Sequence, residues 1–288
     1  MTNLVAFCYD FDKTLTQSNM QEQGLISSLG MTTDEFWGET DRMSLENGMD
    51  GNLSYMRLLC EKSAGRFPLT RDRLMGFGKG ISFFPGVVEW FGKINSYALR
   101  HGLEAEHYII SCGTKEIIDG TAIAGNFKRI YASSYLYGRN GEAIWPAQVV
   151  NFTNKTQFLY RIKKGALDVN DMSVNDFKRS SDIRIPFERF IYIGDSDTDI
   201  PCMSIVNGSG GFSIGVYDPA HGSRPKVEKL LCERRISYFA PADYTEGSQL
   251  YKIACAAIDK ISCDMRLSEI TGKLASGWSG DSSSQWGS

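Results

Sequence analysis

The sequence has no C-x-x-C pair and no His or Cys cluster at zinc-ligand spacing, although it contains seven cysteines and three histidines. A zinc site is therefore not expected. The cysteines (Cys8, Cys60, Cys112, Cys202, Cys232, Cys255 and Cys263) are odd in number and scattered, several of them in apolar runs. A thiol in such a run packs as a small hydrophobe, and this usage favours a reducing compartment over a disulfide framework. No apolar run approaches the ~18 residues of a membrane-spanning helix. The chain starts directly on a strand-like run, without the basic and apolar regions of a secretory signal. A net charge of −3 gives no reason to expect a nucleic-acid or anionic-membrane partner. No internal repeat is present. A cytoplasmic protein is expected, with its oligomeric state left open.

What is present is organised around Leu4 to Thr16, LVAFCYDFDKTLT. The apolar run from Leu4 to Tyr9 fits a buried parallel strand. It ends in two acids, Asp10 and Asp12, that flank one aromatic. Two carboxylates at the end of a buried strand are costly unless a cation sits between them. The carboxyl edge of an open α/β sheet is also where ligands bind. An aspartate nucleophile, Asp10, and an acid/base partner, Asp12, sharing a site with Mg²⁺ would account for the pattern; taken alone, so would a strand end with two exposed acids at a turn.

From Gln17 to about residue 80 the pattern is helical, with short helices expected over Gln21–Leu29, Thr33–Trp37, Leu53–Cys60 and Thr70–Phe77. Val87 to Leu99 reads as an amphipathic helix packing on a sheet. Strands follow at His107–Ser111 and Ile130–Ser134, then a hairpin over Tyr135–Trp145 turning at Asn140-Gly141. A helix opens at Thr153-Asn154-Lys155, and Gly165 to Ser181 is a polar loop with some helix. Phe190–Ile193 is a strand ending in Gly194-Asp195-Ser196-Asp197-Thr198-Asp199, with further strands at Phe212–Val216 and Ile236–Ala240 and a last helix from Ser248. Strands alternating with helices predict an α/β fold with a doubly wound, Rossmann-like parallel sheet. Residues 1–16 and 81–271 form its core, 17–80 an inserted helical cap, and 272–288 a flexible tail rich in Ser and Gly.

Parallel strands would bring the polar clusters after the first, second and fourth strands to one edge. Several carboxylates make a hard oxygen site suited to Mg²⁺. Ser111, placed just before a helix, could hold phosphate with the N–H groups of Cys112 and Gly113. Lys155 would offset the charge of nucleophile and phosphoryl group. Alone, Ser111 is an ordinary helix cap and Lys155 an ordinary surface lysine. Their joint order gives the functional reading.

These motifs resemble those of the haloacid dehalogenase superfamily of phosphohydrolases. The D-x-D-x-T motif stands as Asp10-Phe11-Asp12-Lys13-Thr14, the strand-ending Ser as Ser111, the helix-opening Lys as Lys155, and the acidic G-D-x-x-x-D as Gly194 to Asp199. Lys115 also opens a helix, but Lys155 precedes the fourth strand, as the family order requires. The helical block resembles the cap of phosphoserine-phosphatase-like members. The resemblance implies that Asp10 forms an aspartyl-phosphate and that Asp12 protonates the leaving oxygen and then activates water. It implies that Mg²⁺ is held by Asp10, the Asp12 carbonyl and Asp195, with Asp199 adding a ligand or a support. The expected activity is a Mg²⁺-dependent phosphomonoesterase acting on a small phosphorylated metabolite. A phosphotransferase or mutase using the same intermediate, or a non-catalytic phosphate-binding module, are the alternatives. Gln17, Trp37, Arg42, Asn52, Tyr55, Arg57 and Arg66 are candidates for setting specificity from the cap.

Overall fold

The structure is a computed structural model and describes residues 3–195, 197–220 and 224–278, with only the backbone for Asp197 and for 272–278. In chain order the elements are β1 (Leu4–Tyr9), α1 (Leu25–Ser28), α2 (Thr33–Asn47), α3 (Gly51–Ser63), α4 (Arg71–Gly78), α5 (Val87–Arg100), β2 (Glu104–Thr114), α6 (Lys115–Asp119), β3 (Phe127–Tyr137) and β4 (Ala143–Gln148). The second half adds α7 (Lys155–Lys164), β5 (Phe190–Gly194), α8 (Ile200–Gly208), β6 (Phe212–Tyr217), α9 (Arg224–Cys232), β7 (Tyr238–Pro241) and α10 (Gln249–Trp278).

Seven strands form one sheet in the order β4-β3-β2-β1-β5-β6-β7. All neighbours are parallel except the β3–β4 hairpin. The expected α/β, doubly wound sheet is therefore present. Strand alternation splits the core into two layers. Val5, Phe7 and Tyr9 of β1 join the layer that contains Trp90 and Phe91 of α5 and Leu250 and Ile258 of α10. Ala6 and Cys8 join Phe158 and Leu159 of α7 and Cys202 and Met203 of α8 on the opposite face. In α5 the buried residues Val87, Trp90, Phe91, Ile94 and Ala98 recur at helical spacing and make its inward stripe. The edge strand β4 carries Pro146, tolerated where no further strand needs its missing N–H.

The helical block leaves the sheet edge and returns to it at one place. Thr16 pairs with Phe83 in an antiparallel bridge, and the Phe84 N–H donates to Leu15 O at 2.9 Å. Within the block, Thr32 and Glu35 form a reciprocal capping box that starts α2. This start lets α2 run to Asn47, well past the expected end at Trp37. Asp50 caps α3 and accepts a 2.8 Å hydrogen bond from Asn151 Nδ2, while Asn52 Nδ2 donates to Val150 O at 2.8 Å. The block is thus fastened to the connection between β4 and α7. Its apolar residues Phe36, Tyr55, Leu58 and Leu74 belong to the same buried cluster as β1.

Two expectations need correction. The last helix continues to Trp278, through the first part of the segment read as a flexible tail. Positions 279–288 lie outside the described residues. The second strand does not stop at Ser111 but runs to Thr114, because it keeps pairing with β3 as far as Thr114↔Ser133 across a register shift between Ile110 and Thr114. All seven cysteines are free. Among the described residues no helix is long and apolar enough to cross a membrane.

A buried polar chain locks α5 to the sheet. The Trp90 Nε1–H donates to Tyr9 Oη at 2.9 Å, and Tyr9 Oη lies 2.9 Å from His107 Nδ1. His107 Nε2 lies 2.9 Å from Asn95 Oδ1, an acceptor, which places the imidazole proton on Nε2. Burial pushes the His107 pKa down to about 3, so its neutral form is part of the fold. The unfolded chain binds the extra proton more readily, so this residue's contribution to stability is lost as pH falls from 6.5 toward 3. The His107 ring nitrogens are expected to keep the chemical shifts of the neutral Nε2–H tautomer from pH 8 to pH 5 by NMR.

Helices α4 and α6 meet through glycines. A Cβ on Gly78 would overlap the backbone of Ile117 and Gly120, whereas one on Gly76, in the same helix, meets nothing within 4 Å. Gly78→Ala should cost about 1–3 kcal/mol in denaturant unfolding. Gly76→Ala should gain roughly 0.5–1 kcal/mol.

Candidate active site

The strand order places β1 between β2 and β5, so the residues beyond their carboxyl ends lie side by side. Tyr9 pairs with Ile109 on one side and Ile193 on the other, and the Asp10 N–H continues the ladder by donating to Ile193 O at 3.0 Å. Asp10, Ser111 and Asp195 therefore stand on one edge. After Asp10 the chain turns sharply. The N–H groups of Thr14, Leu15 and Thr16 all converge on Phe11 O, and Lys13 takes a φ of 58°. A left-handed lysine is backbone strain of the kind found at ligand sites.

Asp10 is 5% exposed and lies 3.1 Å from Nζ of Lys155, which is fully buried. The same ammonium donates to Asp199 Oδ1 at 2.8 Å, and the Tyr192 hydroxyl donates to that oxygen at 2.8 Å. Lys155 is the first residue of α7, where a positive charge opposes the helix dipole. Its two carboxylate partners outweigh that cost. Burial alone would lower the Lys155 pKa, but Asp10 and Asp199 overcome it and hold it well above its ordinary value. Lys115, the alternative, pairs instead with Asp119 at the end of α6.

Oxygens of Asp10, Asp195 and Asp199 all lie within 4.8 Å of one another. Thr14 Oγ1 donates to Asp195 at 3.3 Å. Gly194 makes room for this cluster, since a Cβ there would stand 2.6 Å from Asp199 Oδ2. Burial, then Asp199, pushes the Asp10 carboxyl up to about 8 and that of Asp195 up to about 7. Three carboxylates against one lysine leave an excess of negative charge in a buried place. An all-oxygen donor set with that excess fits a hard divalent cation such as Mg²⁺.

Asp12 faces the other way. It accepts a 2.7 Å hydrogen bond from the Met20 N–H and packs against Gly113, where a Cβ would come within 2.9 Å of its Oδ2. Burial, then Asp10, pushes its carboxyl up to about 8. Asp12 also lines a cavity of about 550 Å³ that reaches into the helical block and is bordered by Cys112, Gly113, Trp37, Asn52 and Tyr55. Gln17, Arg42, Arg57 and Arg66 do not line it. Arg57 pairs with Glu61.

Ser111 is fully buried beside these groups but is not at a helix start, because β2 continues to Thr114 and α6 begins at Lys115. Its hydroxyl accepts a 3.0 Å hydrogen bond from the Gly113 N–H across the irregular stretch of β2. Cys112 O accepts from Tyr55 and Ser133 hydroxyls at 3.0 and 3.2 Å. Ser196 and the Asp197 side chain lie outside the described residues. Sequence reasoning did not single out Tyr192, Thr14 as a donor, or Met20. A tyrosine alternating inside a buried strand needs a partner for its hydroxyl, and that was the available signal for Tyr192.

No family model matches the chain. It is 28% identical over 274 residues to an uncharacterized protein of Borreliella burgdorferi, covering 86% of this chain and 94% of that one. Among solved structures it resembles a haloacid dehalogenase family hydrolase from Salmonella enterica serovar Typhi, with a TM-score of 0.53 and 17% identity. That match covers 78% of this chain and 65%, less than two thirds, of the Salmonella protein. A probable phosphoserine phosphatase from Vibrio cholerae matches with a TM-score of 0.54 and 11% identity, over 90% of this chain and 67% of that one. A Bordetella pertussis protein of unknown function matches at 0.54 and 12%, over 85% and 100%. The chain has the Rossmann-like fold of the haloacid dehalogenase hydrolases.

The raised carboxyl pKa values carry a sign. In the cation-free protein the protonated forms of Asp10, Asp12 and Asp195 are favoured by the fold, so stability falls as pH rises from the ordinary 3.8 through about 8. In the presence of EDTA the melting temperature should drop between pH 5 and pH 8. Added Mg²⁺ should raise it more at pH 8 than at pH 5.

Proposed function

We propose that the protein is a Mg²⁺-dependent phosphomonoesterase that acts on a small phosphorylated metabolite through an aspartyl-phosphate on Asp10. The observation that carries this is the division of labour between two aspartates. Asp10 is held by a buried lysine within a carboxylate cluster, while Asp12 stands apart, facing a cavity. A carboxylate oxygen of Asp10 attacks phosphorus as the bond to the ester oxygen breaks. Asp12 gives the departing oxygen its proton. Burial and then the neighbouring Asp10 push its carboxyl up, toward the protonated form a general acid needs, while Lys155 at 3.1 Å favours the ionised form of Asp10. The resulting carboxylate then takes a proton from water, whose oxygen attacks phosphorus and releases Asp10. Splitting the displacement in this way replaces one difficult step by two easier ones.

Lys155 compensates the charge that builds on Asp10 and the transferring phosphoryl oxygens, and Asp199 and Tyr192 keep its ammonium in place. The Ser111 hydroxyl, whose oxygen is held by the Gly113 N–H, would donate to the phosphoryl group, with the Cys112 N–H beside it. In this reading Asp10, Asp195 and the Asp12 carbonyl would hold Mg²⁺, which supplies neutralisation of phosphate charge, and Asp199 serves mainly to anchor Lys155. The helical block acts as the cap that encloses the leaving group. Seven free thiols support a cytoplasmic location.

Phosphate release from a panel of small esters, with Mg²⁺ or EDTA, tests the reading. Asp10→Asn should reduce release by at least ~10³-fold without loss of fold. Lys155→Met should reduce it by roughly 10²–10³-fold, whereas Lys115→Met should change it little. Near-normal turnover by Asp10→Asn, or equal loss at Lys115, would remove these assignments.

A further inference from the structure

The cavity beside Asp12 has a chemical character that the phosphoryl site does not dictate. Helix α2 presents Asp34, Trp37 and Asp41 to it, spaced so that they share one helix face. Glu22 lines it as well. Counting Asp12, four carboxyl groups border the space, and Lys13 is the single cationic side chain among its described lining residues. The charge of Lys13 is also felt at Asp195, on the phosphoryl side. Among the described residues none of Glu22, Asp34 and Asp41 pairs with a cation of the protein. These acids are not consumed by a structural ion pair.

Two further features point to a ligand there. Thr40, 3% exposed and lining the same cavity, has a hydroxyl with no hydrogen-bond partner. A buried hydroxyl left unsatisfied is costly unless a ligand or water reaches it. Trp37 and Tyr55 form an aromatic corner, with ring centroids 6.2 Å apart and planes at 74°. Both rings are pinned by their polar ends: Trp37 Nε1–H donates to Glu22 at 2.9 Å and the Tyr55 hydroxyl donates to Cys112 O at 3.0 Å. Trp37 is half-buried and lines the cavity, while Tyr55, 3% exposed, meets it edge to face and sets its orientation.

We infer that the cavity receives the alcohol portion of a phosphomonoester bearing a cationic amine or quaternary ammonium group and no carboxylate. This rests on the phosphatase reading, since Asp12 links the cavity to the leaving oxygen. The cationic group stands against Trp37, whose ring quadrupole attracts it, with Glu22, Asp34 and Asp41 supplying the opposite charge. Among the described lining residues a carboxylate in the same place would meet Glu22, Asp34 and Asp41, with Lys13 the one cation to offset them. Phosphoserine, which carries both charges, is therefore disfavoured relative to its decarboxylated analogue.

The test compares kcat/KM for phosphoethanolamine, phosphocholine, phosphoserine, glycerol 3-phosphate and p-nitrophenyl phosphate. The two esters with a cation and no carboxylate are expected to exceed glycerol 3-phosphate and phosphoserine by roughly tenfold or more, mostly through KM. In Asp34→Asn/Asp41→Asn and in Trp37→Leu the ratio of phosphocholine to glycerol 3-phosphate should fall toward one. A ratio does not depend on the fraction of folded enzyme. Hydrolysis without preference for the cationic esters, or a preference untouched by these substitutions, overturns the inference and leaves the phosphatase reading standing. Release from none of the esters, p-nitrophenyl phosphate included, overturns both.

Discussion

A lysine ammonium with no access to water holds the site together. Each buried charge costs several kcal/mol in desolvation, and a pair is tolerated only when its geometry and remaining hydrogen bonds are good. Lys155 meets that demand with Asp10 from the end of β1 and Asp199 from the start of α8, the latter further held by Tyr192 from β5. Four separate elements must arrive together for the charge to be tolerated. The sheet order satisfies this by setting β1 directly beside β5, and Gly194 by leaving space where a side chain would strike Asp199. Removing the lysine from such a group costs about 3–5 kcal/mol, because it strands the buried carboxylates that it pairs. The site is therefore a structural keystone as well as a chemical one.

Asp10 and Asp12 are the same residue two positions apart, yet the fold gives them different surroundings. The turn through left-handed Lys13 sends the chain back under Phe11, so Asp12 meets Met20 and Gly113 while Asp10 stays in the carboxylate cluster. Burial raises both, but only Asp10 faces a lysine at 3.1 Å. Environment, not residue type, separates a nucleophile from a proton donor.

Much of this was legible in the sequence. The apolar runs ending in Asp10 and Asp195 read as buried parallel strands because residues packed on both faces leave a continuous hydrophobic signal. The hairpin was marked by Asn140-Gly141. The length of β2 was not legible, since Cys112-Gly113-Thr114 looks like a turn and is held as strand by its pairing with Ser133. The full extent of α2 was hidden for a related reason: beyond Trp37 it buries only Thr40, so little hydrophobic periodicity survives. Thr14, the partner of Asp195, is a long-range contact that no local pattern encodes, whereas Tyr192 lies close to Asp199 in the chain and was signalled only by being a tyrosine in a buried strand. The charge of the cavity also escaped notice, because Glu22, Asp34 and Asp41 read singly as ordinary helix-surface acids.

The helical block enters and leaves the sheet through adjacent residues, Thr16 and Phe83. Closing the chain there costs an entropy that grows only slowly with the length enclosed. Surface residues between these two points can change without moving β1, α7 or β5, so long as the ties of Asp50 and Asn52 to the β4–α7 connection and the buried contacts of the block are kept. The reaction centre and the chamber next to it are consequently free to diverge at different rates. Inheritance would preserve the lysine and its acids while the lining of the chamber drifts, so that one scaffold could serve unlike metabolites in related organisms.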